Sequence, residues 1–387
     1  MKKPTRIVHS GRGGKYAPGM INVPVYHAST IVFPTVAEFR QAVARRNEQV
    51  LYYGRRGTPT QWALADAMTE LEGGAGCVLY GSGLAAITAS ILAFVKAGDH
   101  LLMTDSVYEP ARMFCDNVLR DIGVETTYYD PLIGGGIAGL MRPNTSAVFT
   151  ESPGSLTFEI QDIPAIAAAA HAGGAVVLND NTCASPLNFR VLDLGADVAI
   201  HSLTKYVVGH SDAMLGAAVA NEASLARLQR SGYLYGHSAS PDDCYLALRG
   251  LRTLAPRMKQ CGETALRLAE WFKQRPEVDR VLHPALPDCP GHDVWRRDFT
   301  GASSIFSIVM KQSSDAAVSA MLDGYRHFSI GFSYGGFESL VLPSNPSGAR
   351  TATTWAGPLI RFHAGLEDTD DLIADLEAGL ERFNAVL

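Results

Sequence analysis

The sequence predicts an α/β protein with a mostly parallel sheet and a smaller α+β domain at its C-terminal end. Three observations predict it. From about residue 60 to residue 201, short continuous apolar runs alternate with helical patterns, as strands covered on both faces do. After about Gly250 the alternation gives way to a long helical stretch, isolated strand-like runs and a capped amphipathic helix. The chain has 387 residues, 47% of them AVILMFWYC and 19% charged, enough to bury a large core.

The elements follow in order. Residues 1–59 hold Gly11, Gly13, Gly14, Pro18, Gly19, Pro24 and Pro34 and little periodicity, which predicts an extended arm. Its stretch 23–32 is too apolar to be left in water, so the arm is expected to pack on a neighbouring subunit. Residues 60–71 set Trp62, Leu64, Ala65, Met68 and Leu71 near helical spacing. Then come strand 77–80, helix 84–96, strand 100–104, helix 112–122, strands 125–129 and 147–151, helix 163–171, and strands 175–178 and 198–201. Beyond these lie helix 257–273, a Pro-rich turn at 283–291, strands 304–310 and 359–363, and helix 369–383. The expected units are the arm 1–59, a main domain 60–250 and a C-terminal domain 251–387.

Charge and cysteine usage exclude some classes. The 33 Lys and Arg against 39 Asp and Glu leave a net charge of −6, and no basic run exceeds Arg55-Arg56 or Arg296-Arg297. A nucleic-acid partner is therefore not expected. The longest uncharged apolar stretches, 80–95 and 163–179, fall short of a membrane span of roughly 18 residues. Residues 4–16 are too polar for the core of a signal peptide. The six cysteines are scattered with no C-x-x-C, so they read as free thiols in a cytoplasmic protein, and no metal ligands are assigned.

Three motifs carry chemistry. In Tyr80-Gly81-Ser82-Gly83-Leu84-Ala85-Ala86 a strand enters a glycine turn and a helix leaves it, offering free N–H groups to a phosphate. The same run fits a loose dinucleotide fingerprint, with Asp105 where a ribose-binding acid would sit, or an ordinary tight turn. In Leu178-Asn179-Asp180-Asn181-Thr182 a carboxylate follows a buried strand, where it can pair with a cationic ring nitrogen or simply cap a turn. In His201-Ser202-Leu203-Thr204-Lys205-Tyr206 a lysine at a strand end is placed to form a Schiff base if its pKa is lowered, and Ser202 and Thr204 offer hydroxyls. The alternative is a surface lysine. A phosphate cradle, an acid for a pyridinium nitrogen and a Schiff-base lysine are together what pyridoxal phosphate needs.

Nearly end to end, the chain resembles the Cys/Met-metabolism family of pyridoxal-phosphate enzymes, and within it the cystathionine β-lyase branch. The resemblance rests on Tyr53-Gly54-Arg55-Arg56-Gly57-Thr58, Leu71-Glu72-Gly73-Gly74, Tyr108-Glu109-Pro110, Asp180-Asn181-Thr182, Thr204-Lys205-Tyr206, Gly209-His210-Ser211-Asp212, Ser333 to Leu340 and Leu359-Ile360-Arg361. It implies the aspartate-aminotransferase-like fold, fold type I, and β-elimination of L-cystathionine to homocysteine, pyruvate and ammonia. It implies that Lys205 carries the cofactor and moves the Cα proton. Asp180 would pair with the ring nitrogen, Tyr108 would stack on the ring and assist, and Gly83, Leu84, Ser202 and Thr204 would hold the phosphate. Tyr53 and Arg55 would reach the site from a neighbouring subunit of a homotetramer, a dimer of dimers. Arg361, Ser333, Tyr334 and Tyr53 would bind the substrate.

Three departures stand out: Tyr334 where β-lyases commonly carry Trp, Cys183 where an aromatic is usual, and Ser155 where many relatives carry an Asn aimed at the cofactor hydroxyl; the first two bear on substrate choice. Other cysteine conjugates, or a γ-lyase or γ-synthase reaction, are the alternatives within the family. An NAD-dependent dehydrogenase and a non-catalytic regulator are the alternatives outside it.

Overall fold

A computed structural model describes residues 1–12, 15–16, 18–355 and 357–387, so Gly13 and Gly14 of the arm lie outside the described residues. Two sheets organise the chain. The first has seven strands in the order β1-β7-β6-β5-β4-β2-β3. They are β1 (Gly76–Tyr80), β2 (His100–Thr104), β3 (Glu125–Tyr129), β4 (Thr145–Glu151), β5 (Val176–Asp180), β6 (Val198–Ser202) and β7 (Gly216–Ala220). The second has five, in the order β10-β11-β12-β9-β8. They are β8 (Val278–Leu282), β9 (Ile305–Met310), β10 (Phe328–Ile330), β11 (Ser339–Ser344) and β12 (Leu359–His363).

In the first sheet β3, β2, β4, β5 and β6 pair in parallel, and the helices between them cover both faces. One apolar core gathers Tyr80, Ile87, Phe94, Met103, Phe149 and Ile200. Another, on Leu102, Val148, Ile163, Val177 and Phe189, includes residues next to these on the same strands. Alternate residues of one strand thus enter different cores, which is why these strands read as unbroken apolar runs.

Two sequence expectations need correction. Strand β7 was not expected, and it runs antiparallel to both β1 and β6. Its residues, Gly216-Ala217-Ala218-Val219-Ala220, carry too little side chain to stand out in the sequence. They are needed small: a Cβ on Gly216 would lie 2.1 Å from the carbonyl oxygen of Ser82. The arm, in turn, is not extended throughout, since helices occupy Lys3–His9 and Val36–Ala44. Pro4 in the first turn of one and the Thr35 cap of the other start them, but both are too short to show a period.

The arm also divides its apolar residues. Ile7, Tyr16 and Val23 are buried against helix Pro59–Glu72 and its neighbours. Ile21, Val32, Val36 and Phe39 are exposed, Val32 at 86%.

The second sheet rests on helices Leu254–Lys273 and Thr369–Val386 through an aromatic core. Phe362 sits at its centre, with ring centroids 5.1 Å from Phe272, 5.5 Å from Phe306 and 5.5 Å from Phe328. It follows Arg361 on β12, so this core sets where that arginine stands. Phe362→Ala is expected to cost about 3–5 kcal/mol in equilibrium urea unfolding. A loss below about 1 kcal/mol would show that the core relaxes around the cavity.

Candidate active site

The site is assembled at the carboxyl ends of the parallel strands, where open α/β sheets place their ligands. After β1, Ser82 begins helix Gly83–Phe94 with its hydroxyl accepting from the Ala85 N–H at 3.1 Å. The Ser82 carbonyl accepts from Ala86. Among the described residues, the N–H groups of Gly83 and Leu84 have no acceptor. A Cβ on Gly83 would come within 2.5 Å of the Ser202 side chain, so only glycine lets the turn lie against the end of β6. Ser202 has its hydroxyl on this turn, while its N–H donates to the Thr182 hydroxyl at 2.8 Å. The Thr204 hydroxyl is engaged by Leu215, donating to its carbonyl (3.2 Å) and accepting from its N–H (2.9 Å).

Two carboxylates end adjacent strands, since Glu151 of β4 is in register with Asp180 of β5. Both are buried. Asp180 accepts one bond from the Thr182 N–H (2.9 Å), and desolvation nonetheless holds its pKa above the ordinary carboxylate range. Glu151 is pushed well up, by burial and by the charge of Asp180, and accepts from the Tyr108 N–H at 2.8 Å. Asp180 therefore lacks a full counter-charge, and burial shifts its neighbour toward the neutral form. The Tyr108 ring lies at the cleft, 43% exposed, its pKa raised mainly by burial of the phenol.

Lys205 faces these carboxylates. Burial, reinforced by the charge of Arg361 and opposed by Asp180, brings its pKa down to about 8. Its Nζ donates to Ser333 Oγ at 2.8 Å and lies 5.2 Å from the centre of the Tyr334 ring. Arg361 projects from β12 and donates to the Ser333 carbonyl at 2.8 Å, 5.6 Å from the same ring. Ser333 thus bridges the two cations. It adopts φ of 86°, a conformation that side chains other than glycine rarely hold.

The loop that carries Ser333 is fixed in part by residues the sequence did not single out. Tyr206 Oη and Ser304 Oγ are 2.8 Å apart, Ser304 Oγ and His363 Nδ1 2.7 Å, and the Gly335 N–H donates to His363 Nε2 at 3.1 Å. Burial lowers the His363 pKa to about 3, so it stays neutral. Beneath the site, Glu72 Oε1 accepts from Asn181 Nδ2 (2.7 Å) and lies 2.6 Å from His201 Nε2. Of these, Glu72, Asn181, His201, Tyr206 and Gly335 fall inside motifs the sequence offered. Ser304, His363 and Glu151 give no local signal.

The structure brings together Gly83, Leu84, Tyr108, Asp180, Ser202, Thr204, Lys205, Ser333, Tyr334 and Arg361 around one cleft. Tyr53 and Arg55 stand apart from it. Arg55 donates to the Tyr233 carbonyl at 3.0 Å with its guanidinium 4.3 Å from the Tyr233 ring centre, and Tyr53 is 45% exposed. Cys183 lies in the cleft wall, its Sγ 3.3 Å from Ser303 Oγ, and all six cysteines are unpaired. Asp105 does not serve a ribose, because Arg112 and the backbone of residues 351–353 occupy its carboxylate. This removes the acid on which the dinucleotide reading depended.

Chemically, the cleft offers N–H donors and a hydroxyl to a phosphate, a carboxylate to a cationic ring nitrogen, and a partly neutral amine to a carbonyl carbon or an acidic C–H. The comparisons agree with that inventory. Residues 4–381 match the family model described as "Cys/Met metabolism PLP-dependent enzyme". The chain is 47% identical to the cystathionine beta-lyase MetC of Escherichia coli (strain K12), with 98% of each chain covered. It is 41% identical to an L-alanine/L-glutamate racemase of Wolbachia pipientis wMel, over 99% of this chain and 98% of that one. The crystal structure of cystathionine gamma synthase from Xanthomonas oryzae pv. oryzae, in complex with aminoacrylate and cysteine, superposes with a TM-score of 0.90 at 32% identity over 100% of both chains. With the family model spanning nearly the whole sequence and the amine, acid and phosphate cradle in one cleft, the chain belongs to the Cys/Met-metabolism family of PLP-dependent enzymes.

Proposed function

We propose that the chain is a C–S β-lyase that cleaves L-cystathionine to homocysteine, pyruvate and ammonia. The observation that carries the reading is the meeting of Lys205 and Arg361 on Ser333, which puts a proton-accepting amine beside a carboxylate-binding guanidinium. The 47% identity to a β-lyase over nearly the full length supports the choice of reaction.

The residues fit pyridoxal phosphate. The Gly83 and Leu84 N–H groups and the Ser202 hydroxyl take its phosphate, and Thr204 adds its hydroxyl if it releases the Leu215 carbonyl. Asp180 gains from the ring nitrogen the counter-charge that burial denies it. Tyr108, at the cleft, would border the ring, and Lys205 would be the amine that holds the aldehyde. When bound, the cofactor supplies an electron sink for the charge left at the substrate Cα.

This chain's own groups do the rest. Arg361 grips the substrate α-carboxylate in a paired contact and so fixes Cα beside Lys205. With substrate in place, the free Lys205 amine would stand beside Cα and accept its proton. The electron pair left at Cα expels the β sulfur, and the departing thiolate is protonated from Lys205 with help from Tyr108. The enamine that leaves the site takes up water and gives pyruvate and ammonia. Ser333 and Tyr334 line the carboxylate pocket. The arm 1–59, the cofactor-binding part 60–250 and the part 251–387 that carries Arg361 are the working units of this reading. The unpaired cysteines support a cytoplasmic setting. Among the described residues no helix is long and apolar enough to cross a membrane.

The test is product analysis with L-cystathionine. Pyruvate released in step with homocysteine, and abolished in Lys205→Ala, is the expected outcome. 2-Oxobutyrate with cysteine would move the reaction to γ-cleavage. Inversion at Cα without pyruvate would make the enzyme a racemase.

Capture of pyridoxal phosphate by the apoenzyme should accelerate with rising pH around a midpoint near 8, because only the neutral Lys205 amine attacks. At pH 7 roughly a tenth of such an amine is neutral, against about 0.03% at the ordinary lysine pKa. A midpoint above about 10, followed by visible absorbance in stopped flow, would contradict the burial argument.

The exposed apolar face of the arm and the position of Arg55 away from the cleft support a homotetramer in which Tyr53 and Arg55 complete the site of a neighbouring subunit. Mixing Arg55→Ala and Lys205→Ala subunits should then restore turnover, since one site in each hybrid pair holds both native residues. No gain after subunit exchange would confine each site to one chain.

A further inference from the structure

Between β11 and β12 the chain makes a long excursion that the proposed reaction does not use. Residues 345–355 cross back to the first sheet and are pinned there at two buried points. Asp105, at the end of β2, accepts from the backbone N–H groups of Thr351 (3.0 Å), Ala352 (3.0 Å) and Thr353 (2.7 Å) and from the Thr353 hydroxyl (2.8 Å). Arg112 balances its charge at 2.6 Å, with both side chains buried. Five donors on one carboxylate hold its pKa below the ordinary range, although burial opposes them. At the second point Arg350 pairs with Glu159 at 2.7 Å, again between buried side chains.

The pinned strap delivers one large side chain. Trp355 packs, together with Tyr334, against the small apolar cluster of Phe158, Cys183, Leu282 and Ile305. Its N–H is satisfied by the Gly357 carbonyl at 3.0 Å, and the Arg280 guanidinium lies 4.9 Å from its ring centre. These contacts place the ring against the cluster. Cys183 is three residues past Asp180, and Tyr334 lies against Lys205 and Arg361, so this cluster is the wall of the cleft. Cys183 is itself buried in that wall, and the Trp355 indole packs beside it.

We propose that Trp355 is a specificity-determining residue, the platform on which the part of the substrate beyond its sulfur packs, and that Asp105 and Glu159 are positioning residues that hold it there through the strap. The proposal rests on the β-lyase reading for the identity of the reaction. The two methylenes that L-cystathionine carries between its sulfur and its far amino-acid group pack on the platform; a substrate that ends in a methyl group does not reach it.

The experiment compares L-cystathionine with S-methyl-L-cysteine in the holoenzyme, by pyruvate release. Trp355→Ala should raise KM for L-cystathionine about tenfold or more and leave kcat/KM for S-methyl-L-cysteine within about twofold. Trp355→Phe should recover most of the loss. The visible absorbance of the bound cofactor should be the same in all three proteins. An equal effect on both substrates, or none on either, would overturn the proposal. Binding is read separately from tryptophan emission, which L-cystathionine should change in the wild type and not in Trp355→Phe. If the wild type releases no pyruvate but shows that change, the β-lyase reading falls and the platform stands. If pyruvate is released and Trp355→Phe responds like the wild type, the platform falls and the lyase stands.

Discussion

The site turns on two cations held close together in a cleft that water only partly reaches. Lys205 and Arg361 both donate to Ser333, one to its hydroxyl and the other to its carbonyl. Each raises the cost of the other's charge. Arg361 keeps its charge at the ordinary pH of a cell, since an arginine yields its proton only far above neutrality. Lys205 is the group that gives way, its pKa falling to about 8. An amine that must be charged in water is thereby made available as a base. The same constraint makes the cleft receptive to anions, and a substrate carboxylate on Arg361 relieves it. Ser333 serves both partners with its backbone at φ of 86°, so the strained residue is the one the two cations share.

Holding that arrangement falls to polar groups that the apolar cores surround. Tyr206, Ser304 and His363 link the segment after Lys205, the start of β9 and the end of β12 to the Gly335 N–H. The lysine's segment and the arginine's strand are thus tied to one another through neutral groups. A charged histidine there would add a third cation, and its low pKa prevents this. Glu72 and His201 do similar work below Asp180, joining helix Pro59–Glu72 to β6 and through Asn181 to the end of β5. Removing one member of such a buried pair leaves the other uncompensated, which is why these contacts specify one geometry more than they add stability.

Much of the first sheet was legible because burial on both faces writes itself into the sequence as unbroken Val, Ile and Leu runs. Lys205, Asp180 and Gly83 were legible for a related reason: each follows such a run at its carboxyl end. Strand β7 was not, because its place against Ser82 demands glycine and alanine, which carry no pattern. The arm's helices were not, because each spans too few turns. Ser304, His363 and Glu151 act through partners far away in the chain, and spacing cannot show that. Ser333 was found by resemblance alone; its left-handed backbone would ordinarily be announced by a glycine. Asp105 shows the opposite failure. Its distance from the glycine turn suggested a ribose, yet its partners are an arginine and three backbone N–H groups.

The division of labour between the two sheets explains how one fold can serve several reactions on amino acids. The groups proposed to hold the cofactor, Gly83, Ser202, Asp180 and Lys205, lie at the ends of strands of the first sheet or just beyond them, in positions fixed by dense cores. The groups proposed to meet the substrate, Ser333, Tyr334 and Arg361, come from the second sheet and its loops. Where Cα is held relative to Lys205 depends on how the second sheet docks on the first. Here that docking is made partly by buried charge, through Asp105 and Glu159 reaching the strap before β12. A change in the strap can therefore alter which substrate fits without disturbing the amine, the acid or the phosphate cradle. A β-lyase and a racemase are 47% and 41% identical to this chain over nearly its whole length, so closely similar sequences carry different reactions and the fold alone does not choose between them.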